Sequence, residues 1–95
     1  MILVMSDALQ ETAKIHVRAL RDVLARVDLD QTKRLASDCD HLVRAIDTFH
    51  MEAVRFRMFT LSHQIAALGS AVPPEASTFL EEARTALHAA GFKTK

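Results

Sequence analysis

No glycine or proline occurs before residue 69 of this 95-residue chain. The two glycines and two prolines all lie in the last third, so the first 68 residues contain no strong breaker of regular backbone structure. Alanine, leucine, arginine and other good helix formers are plentiful, whereas no run alternates β-branched and polar residues between turns. The sequence therefore predicts an all-α fold.

We expect one domain over residues 1–95, built from three helices. An apolar stripe predicts a first helix over about 7–27, capped by Ser6 or Asp7. Another apolar stripe, near the C-terminus, predicts the last of the three helices over about 74–90, with Gly91 as its C-terminal cap and Phe92 packed behind it. Residues 1–5 are expected to form a tail that is too short for a signal peptide core or a membrane span.

The strongest pattern predicts one long second helix over about 30–68, because an apolar seam advances there in alternating steps of four and three residues. The seam consists of Leu35, Cys39, Leu42, Ile46, Phe49, Ala53, Phe56, Thr60, His63 and Ala67. Such a helix is roughly 57 Å long, whereas a compact chain of this size is about 32 Å across. Either the helix breaks near Thr48–His50 and closes a three-helix monomer, or the chain is elongated. Without glycine or proline at that point, we favour a continuous helix.

The second half of this helix carries another apolar face, away from the seam. Its members are Val54, Met58, Leu61, Ile65 and Leu68. Two shorter antiparallel helices, flanking the long one, cannot cover both faces, and uncovered apolar faces usually mark interfaces. We therefore expect these residues to pair two copies into a helical bundle with coiled-coil packing. The predicted function is a non-enzymatic association or regulatory module that forms a homodimer or binds another protein.

Charge and cysteine content restrict the other function classes. Twelve basic and twelve acidic residues argue against a protein held to nucleic acid or to a membrane mainly by positive charge. The single cysteine, Cys39, excludes an internal disulfide and lies on the seam, where a buried, inert thiol is expected. We predict a cytoplasmic protein with no cofactor. Lys14, Arg18 and Arg21 are expected to form a solvated ridge on the first helix.

Five histidines raise the question of a metal site. Asp38 with His41, and Asp47 with His50, have the i, i+3 spacing of carboxylate–histidine pairs in helical metal proteins. The two pairs lie nine residues apart, about half a turn around the helix, so they cannot share one ion. We interpret them as solvated residues or local hydrogen bonds, and no metal or catalytic residue is predicted.

The segment Asp40-His41-Leu42-Val43-Arg44-Ala45 resembles the phosphoacceptor pattern of histidine-phosphotransfer domains, which are helical bundles in two-component relays. The resemblance implies that His41 takes a phosphoryl group, that Arg44 offsets its charge and that Ala45 leaves room for a docking receiver. Family members usually have lysine and glycine at the positions of Arg44 and Ala45, and at least four helices. On the basis of this resemblance, the alternative function is a phosphorelay module that uses His41.

Overall fold

The computed structural model describes the backbone of residues 2–93 and the side chains of residues 8–93. Four helices are present in this part of the chain: α1 (Ile2–Ala25), α2 (Asp30–Asp47), α3 (Met51–Leu68) and α4 (Glu75–Ala89), with a 3₁₀ turn at Gly69–Ala71. The described residues contain no strand, so the prediction of an all-α fold is confirmed. The predicted number of helices is wrong, because the long second helix is divided into α2 and α3.

The first helix begins earlier than its capping residues suggested. α1 includes Ile2–Met5, which were expected to form a tail, while Met1 lies outside the described residues. Nothing in this apolar segment breaks a helix, and a capping side chain contributes only about 1 kcal/mol, so Ser6 and Asp7 can be accommodated inside the helix. At the other end α1 stops at Ala25, two residues before the predicted boundary.

The expected continuous second helix is interrupted at Thr48–His50, the position of the alternative prediction. Two backbone hydrogen bonds end α2: the Phe49 N–H donates to the Ile46 carbonyl at 3.0 Å, and the His50 N–H donates to the Ala45 carbonyl at 2.9 Å. This pair of bonds is the Schellman motif, which places the residue after the C-cap in the left-handed region. Phe49 accordingly has a φ of 52°.

A side chain at the break also starts the next helix. His50 is the N-cap of α3, and its Nδ1 accepts a hydrogen bond of 3.1 Å from the Ala53 N–H. The Phe49 ring packs against the buried ring of Phe92, with the centroids 4.6 Å apart. Aromatic packing and a histidine cap thus hold a break for which the sequence offers neither glycine nor proline.

The chain measures 44 × 21 × 19 Å, with a radius of gyration of 12.7 Å. An unbroken helix of roughly 57 Å would exceed the longest of these dimensions. The continuous helix that we favoured from the sequence is therefore wrong, although the folded chain is still about twice as long as it is wide. The break allows all four helices to enclose one core.

The predicted end of the last helix is confirmed. Gly91 has a φ of 99° and follows α4, while the Phe92 N–H donates to the Leu87 carbonyl at 2.9 Å. Phe92 itself is 1% exposed, as expected for the apolar residue behind a Schellman cap.

α1 lies at the centre of the arrangement, packed against α2 on one side and α4 on the other. α1 and α2 run antiparallel, since Lys14 reaches Asp47 while Arg21 reaches Asp40. α4 was expected to flank the long helix, but it packs mainly on α1 and contacts α3 over a shorter stretch. α3 contacts α2 and α4 but not α1, and one of its sides consequently remains open.

The break can be tested at Phe49. A left-handed φ costs a residue with a Cβ about 1 kcal/mol relative to glycine, whereas in a helix interior glycine is less stable than alanine by a similar amount. Both Phe49→Gly and Phe49→Ala remove the contact with Phe92. We expect the glycine variant to be more stable than the alanine variant by about 1 kcal/mol in urea unfolding. The reverse order would indicate a continuous helix.

Candidate functional site

The open side of α3 carries five residues, all exposed, spaced alternately by four and three positions. We call this set the outer face of α3; its members are Glu52, Phe56, Phe59, His63 and Ala66. Phe56 and Phe59 are each 60% exposed, and they are the most exposed of the large apolar side chains in the described part of the chain. Large aromatic side chains so exposed on one helix face are typical of interaction surfaces.

The core of the chain explains why this face is open. At 100° per residue, the outer face lies opposite the buried stripe of α3. Val54, Met58, Leu61 and Ile65 form that stripe and have at most 5% of their surface exposed. α3 is therefore apolar on two opposite sides, but the described part of the chain supplies a neighbour for only one of them.

The predicted interface residues occupy the buried side. Four of the five, namely Val54, Met58, Leu61 and Ile65, lie in the core of the single chain, and Leu68 is half-buried against it. Pairing two copies through these residues would require the core to open. Phe56 was predicted to lie on the seam and Phe59 was not singled out, although the sequence places apolar residues on two faces of this helix.

The aromatic rings of the outer face have defined neighbours. Phe59 stacks on His63 with ring centroids 5.9 Å apart and an interplanar angle of 9°. The Arg57 guanidinium lies 5.7 Å from the Phe56 ring centroid. Glu52, Arg55 and the two phenylalanines line a shallow groove of about 430 Å³. The face thus combines an apolar centre with polar groups at its edges, as protein interfaces do.

Two side-chain contacts hold α3 in this orientation. Arg57 Nη1 donates to Asp38 Oδ1 of α2 at 2.9 Å, in a partly buried ion pair. On the other side, Arg84 of α4 donates to the Ser62 hydroxyl. α3 is therefore tied to both neighbours by its flanks, which leaves its outer face presented to solvent.

His41 is exposed on α2, as its predicted role requires. Its Nδ1 lies 3.0 Å from the Ser37 carbonyl oxygen. A carbonyl can only accept, so Nδ1 carries a proton in this contact, and in the neutral form of the ring Nε2 is the nitrogen with a lone pair. Arg44 is exposed one turn later, but Ala45 is 8% exposed and belongs to the core, so it does not provide the docking space that the resemblance implied.

The Asp–His spacings noted in the sequence do not correspond to hydrogen-bonded pairs in the structure. Asp38 accepts from Arg57, Asp47 accepts from Lys14, and His50 caps α3. These groups serve the helix packing and the break rather than contacting each other. Among the residues whose side chains are described, no three His, Cys, Asp or Glu side chains come together as a metal site.

Lys14 was expected on a solvated ridge, but it is 8% exposed. Its aliphatic stem is covered, and its ammonium group donates to Asp47 at the end of α2 and to Glu11 at 2.6 Å. The hydrogen bonds that Lys14 donates to Asp47 and, to a smaller extent, to Glu11 hold the pKa of Lys14 above its usual value, while burial acts in the opposite direction. Arg18 remains exposed, and Arg21 contacts Asp40 at 3.0 Å.

Cys39 is fully buried, which confirms the sequence prediction. Burial, supported by the charges of Asp40 and Asp38, raises the pKa of its thiol to about 12. A raised pKa keeps the thiol protonated in the native state, and the thiolate is the reactive form. Cys39 is therefore a packing residue and not a nucleophile.

This burial predicts how Cys39 reacts with an aromatic disulfide reagent at pH 8. In the native protein we expect labelling only through unfolding, whereas in urea the thiol should react at the rate of a free cysteine. Because the unfolded thiol ionises near pH 8.5 and the native thiol only near 12, the free energy of unfolding should fall as the pH rises through this range. Rapid stoichiometric labelling without denaturant would contradict this burial.

No helix among the described residues is long and apolar enough to span a membrane.

Comparisons with known proteins do not assign this chain to a family. No family model, curated protein or solved structure was found to match this chain.

Proposed function

We propose that this chain is a small, non-enzymatic helical association or regulatory module that self-associates through the outer face of α3. The observation that carries the proposal is the pair Phe56 and Phe59, each 60% exposed on the side of α3 opposite the core. Burying such rings against a partner is favourable in proportion to the apolar area removed from water. The cytoplasmic location expected from the sequence stays a prediction.

The polar groups singled out from the sequence favour a binding role over a catalytic one. Asp38, Asp47 and His50 are engaged in helix contacts, and Cys39 is buried with a raised pKa. Catalytic groups are normally gathered in a cleft with tuned protonation states. The outer face of α3 is instead shallow and aromatic, which suits contact with another protein surface.

The size of the face indicates the strength of the interaction. α3 has 18 residues and is about 27 Å long. A contact made by one such helix per copy is at the small end of protein interfaces, where weak and reversible complexes are found. We therefore expect a dimer that dissociates on dilution through the micromolar range.

Replacing both aromatic side chains tests the proposal. In Phe56→Ser with Phe59→Ser, the exposed rings are lost while the core is untouched, so we expect a monomer with an unchanged helical circular dichroism spectrum. Sedimentation equilibrium from low micromolar to near millimolar concentration measures the change. Ile15→Ser is the matched control, because Ile15 is 59% exposed on α1, away from this face.

Two results would contradict self-association through this face. One is a wild-type chain that remains monomeric over the whole concentration range. The other is a dimer whose dissociation constant is the same in the double variant as in the wild type and the Ile15 control.

A phosphorelay module is the second candidate, and two observations favour it. The fold has four helices in the described residues, as the resembling family requires, and His41 is exposed with Nε2 available. In this role Nε2 attacks the phosphorus of an aspartyl phosphate on a receiver. The N–P bond forms as the acyl O–P bond breaks, and the receiver's aspartate leaves as a carboxylate.

Phosphorylation of His41 is tested with phosphorylated receiver domains and with the small donor phosphoramidate. We expect an acid-labile label on Nε2, detected by ³¹P NMR, that is lost in His41→Gln. His63→Gln is the matched control, since His63 is also an exposed helical histidine. No label on His41, or a label unchanged in His41→Gln, would dispose of this candidate.

A further inference from the structure

The outer face of α3 has the spacing of a coiled-coil seam. From Glu52 to Ala66 its residues advance by four, three, four and three positions, which is the alternation of a and d positions in a heptad. Small side chains flank it at Ala53, Thr60 and Ser62. A second helix can therefore approach closely enough for the aromatic rings to interlock.

We propose that α3 pairs antiparallel with α3 of a second copy, about a two-fold axis that passes between residues 57 and 58. This inference rests on the proposed self-association and specifies its geometry. In this register Phe56 faces Phe59 of the partner subunit, and Glu52 faces His63 of the partner subunit. Each contact occurs twice, as in any isologous interface.

The aromatic centre supports this register. Four phenylalanine rings, two from each copy, occupy adjacent layers at the two-fold axis. Rings that meet offset or edge-to-face contribute beyond their buried area, and clustered aromatic residues at the middle of an interface carry most of its binding energy. A shift by one heptad would place a phenylalanine opposite alanine or a charged side chain and would break up the cluster.

Charge complementarity selects the antiparallel orientation. Glu52 has 81% of its side chain exposed and lies 4.0 Å from Arg55 of its own chain, which leaves the carboxylate room to accept from the imidazole of His63 of the partner subunit in either protonation state. Parallel pairing would instead place Glu52 opposite the same carboxylate of the partner, and such like-charge contacts destabilise. Arg55 lies at the flank, where antiparallel pairing places it beside Ser62 of the partner subunit, without a like charge.

Cysteine cross-linking tests directly which residues of the two α3 helices face each other. We expect a disulfide between chains when Glu52→Cys is mixed with His63→Cys under copper-catalysed oxidation, and little when either variant is oxidised alone. The native Cys39 does not compete, because it is fully buried. The two variants carry tags of different size, so the mixed product is identified on a non-reducing gel.

The outcomes separate this inference from the function on which it rests. Cross-linking of Glu52→Cys with itself would indicate parallel pairing, and it would overturn the register while leaving self-association in place. A dimer that is sensitive to Phe56 and Phe59 but forms no cross-link would also overturn the register. A monomeric wild type would overturn both.

A charge exchange gives a second measurement. Glu52→Lys places a lysine opposite His63 of the partner subunit, and His63→Glu places two carboxylates opposite each other. Each variant should therefore raise the dissociation constant of the dimer about threefold to tenfold. The double variant restores opposite charges in the antiparallel register and should recover the wild-type dissociation constant. Additive weakening in the double variant would overturn the inference.

Discussion

The structure depends on the interruption between α2 and α3. A Schellman motif closes α2, a histidine opens α3, and Phe49 occupies the left-handed position between them. That conformation costs a residue with a Cβ about 1–2 kcal/mol. The contact between Phe49 and the buried Phe92 offsets part of this cost, so the end of α4 helps to hold the turn. Without the turn, the helix would exceed the 44 Å length of the folded chain.

The break also decides which residues become core. The apolar seam would lie along one face of a continuous helix. In the folded chain only the first half of the seam is buried, namely Leu35, Cys39, Leu42 and Ile46. After the turn, α3 lies with a different side towards its neighbours, so Val54 and Met58 enter the core. In the second half of the seam, Phe56 and His63 are exposed, whereas Ala53 packs against the core. The candidate site is thus a consequence of the turn.

Charged side chains reinforce this arrangement around the break. Lys14 of α1 contacts Asp47, the last residue of α2, and Arg57 of α3 contacts Asp38 near the middle of α2. These pairs hold the helices in register rather than forming a reactive cluster. They explain why acidic residues that suggested metal ligands in the sequence have structural roles.

The sequence by itself determined the helical class, the Schellman end at Gly91 and the burial of Cys39, because these follow from local propensity and apolar spacing. It also showed that α3 is apolar on two sides, which is the origin of the candidate site. The local sequence does not determine which of those two sides packs against the core. Only the tertiary structure decided it, since the neighbours of Val54 and Phe56 depend on a turn that is stabilised by Phe92, more than forty residues away in sequence.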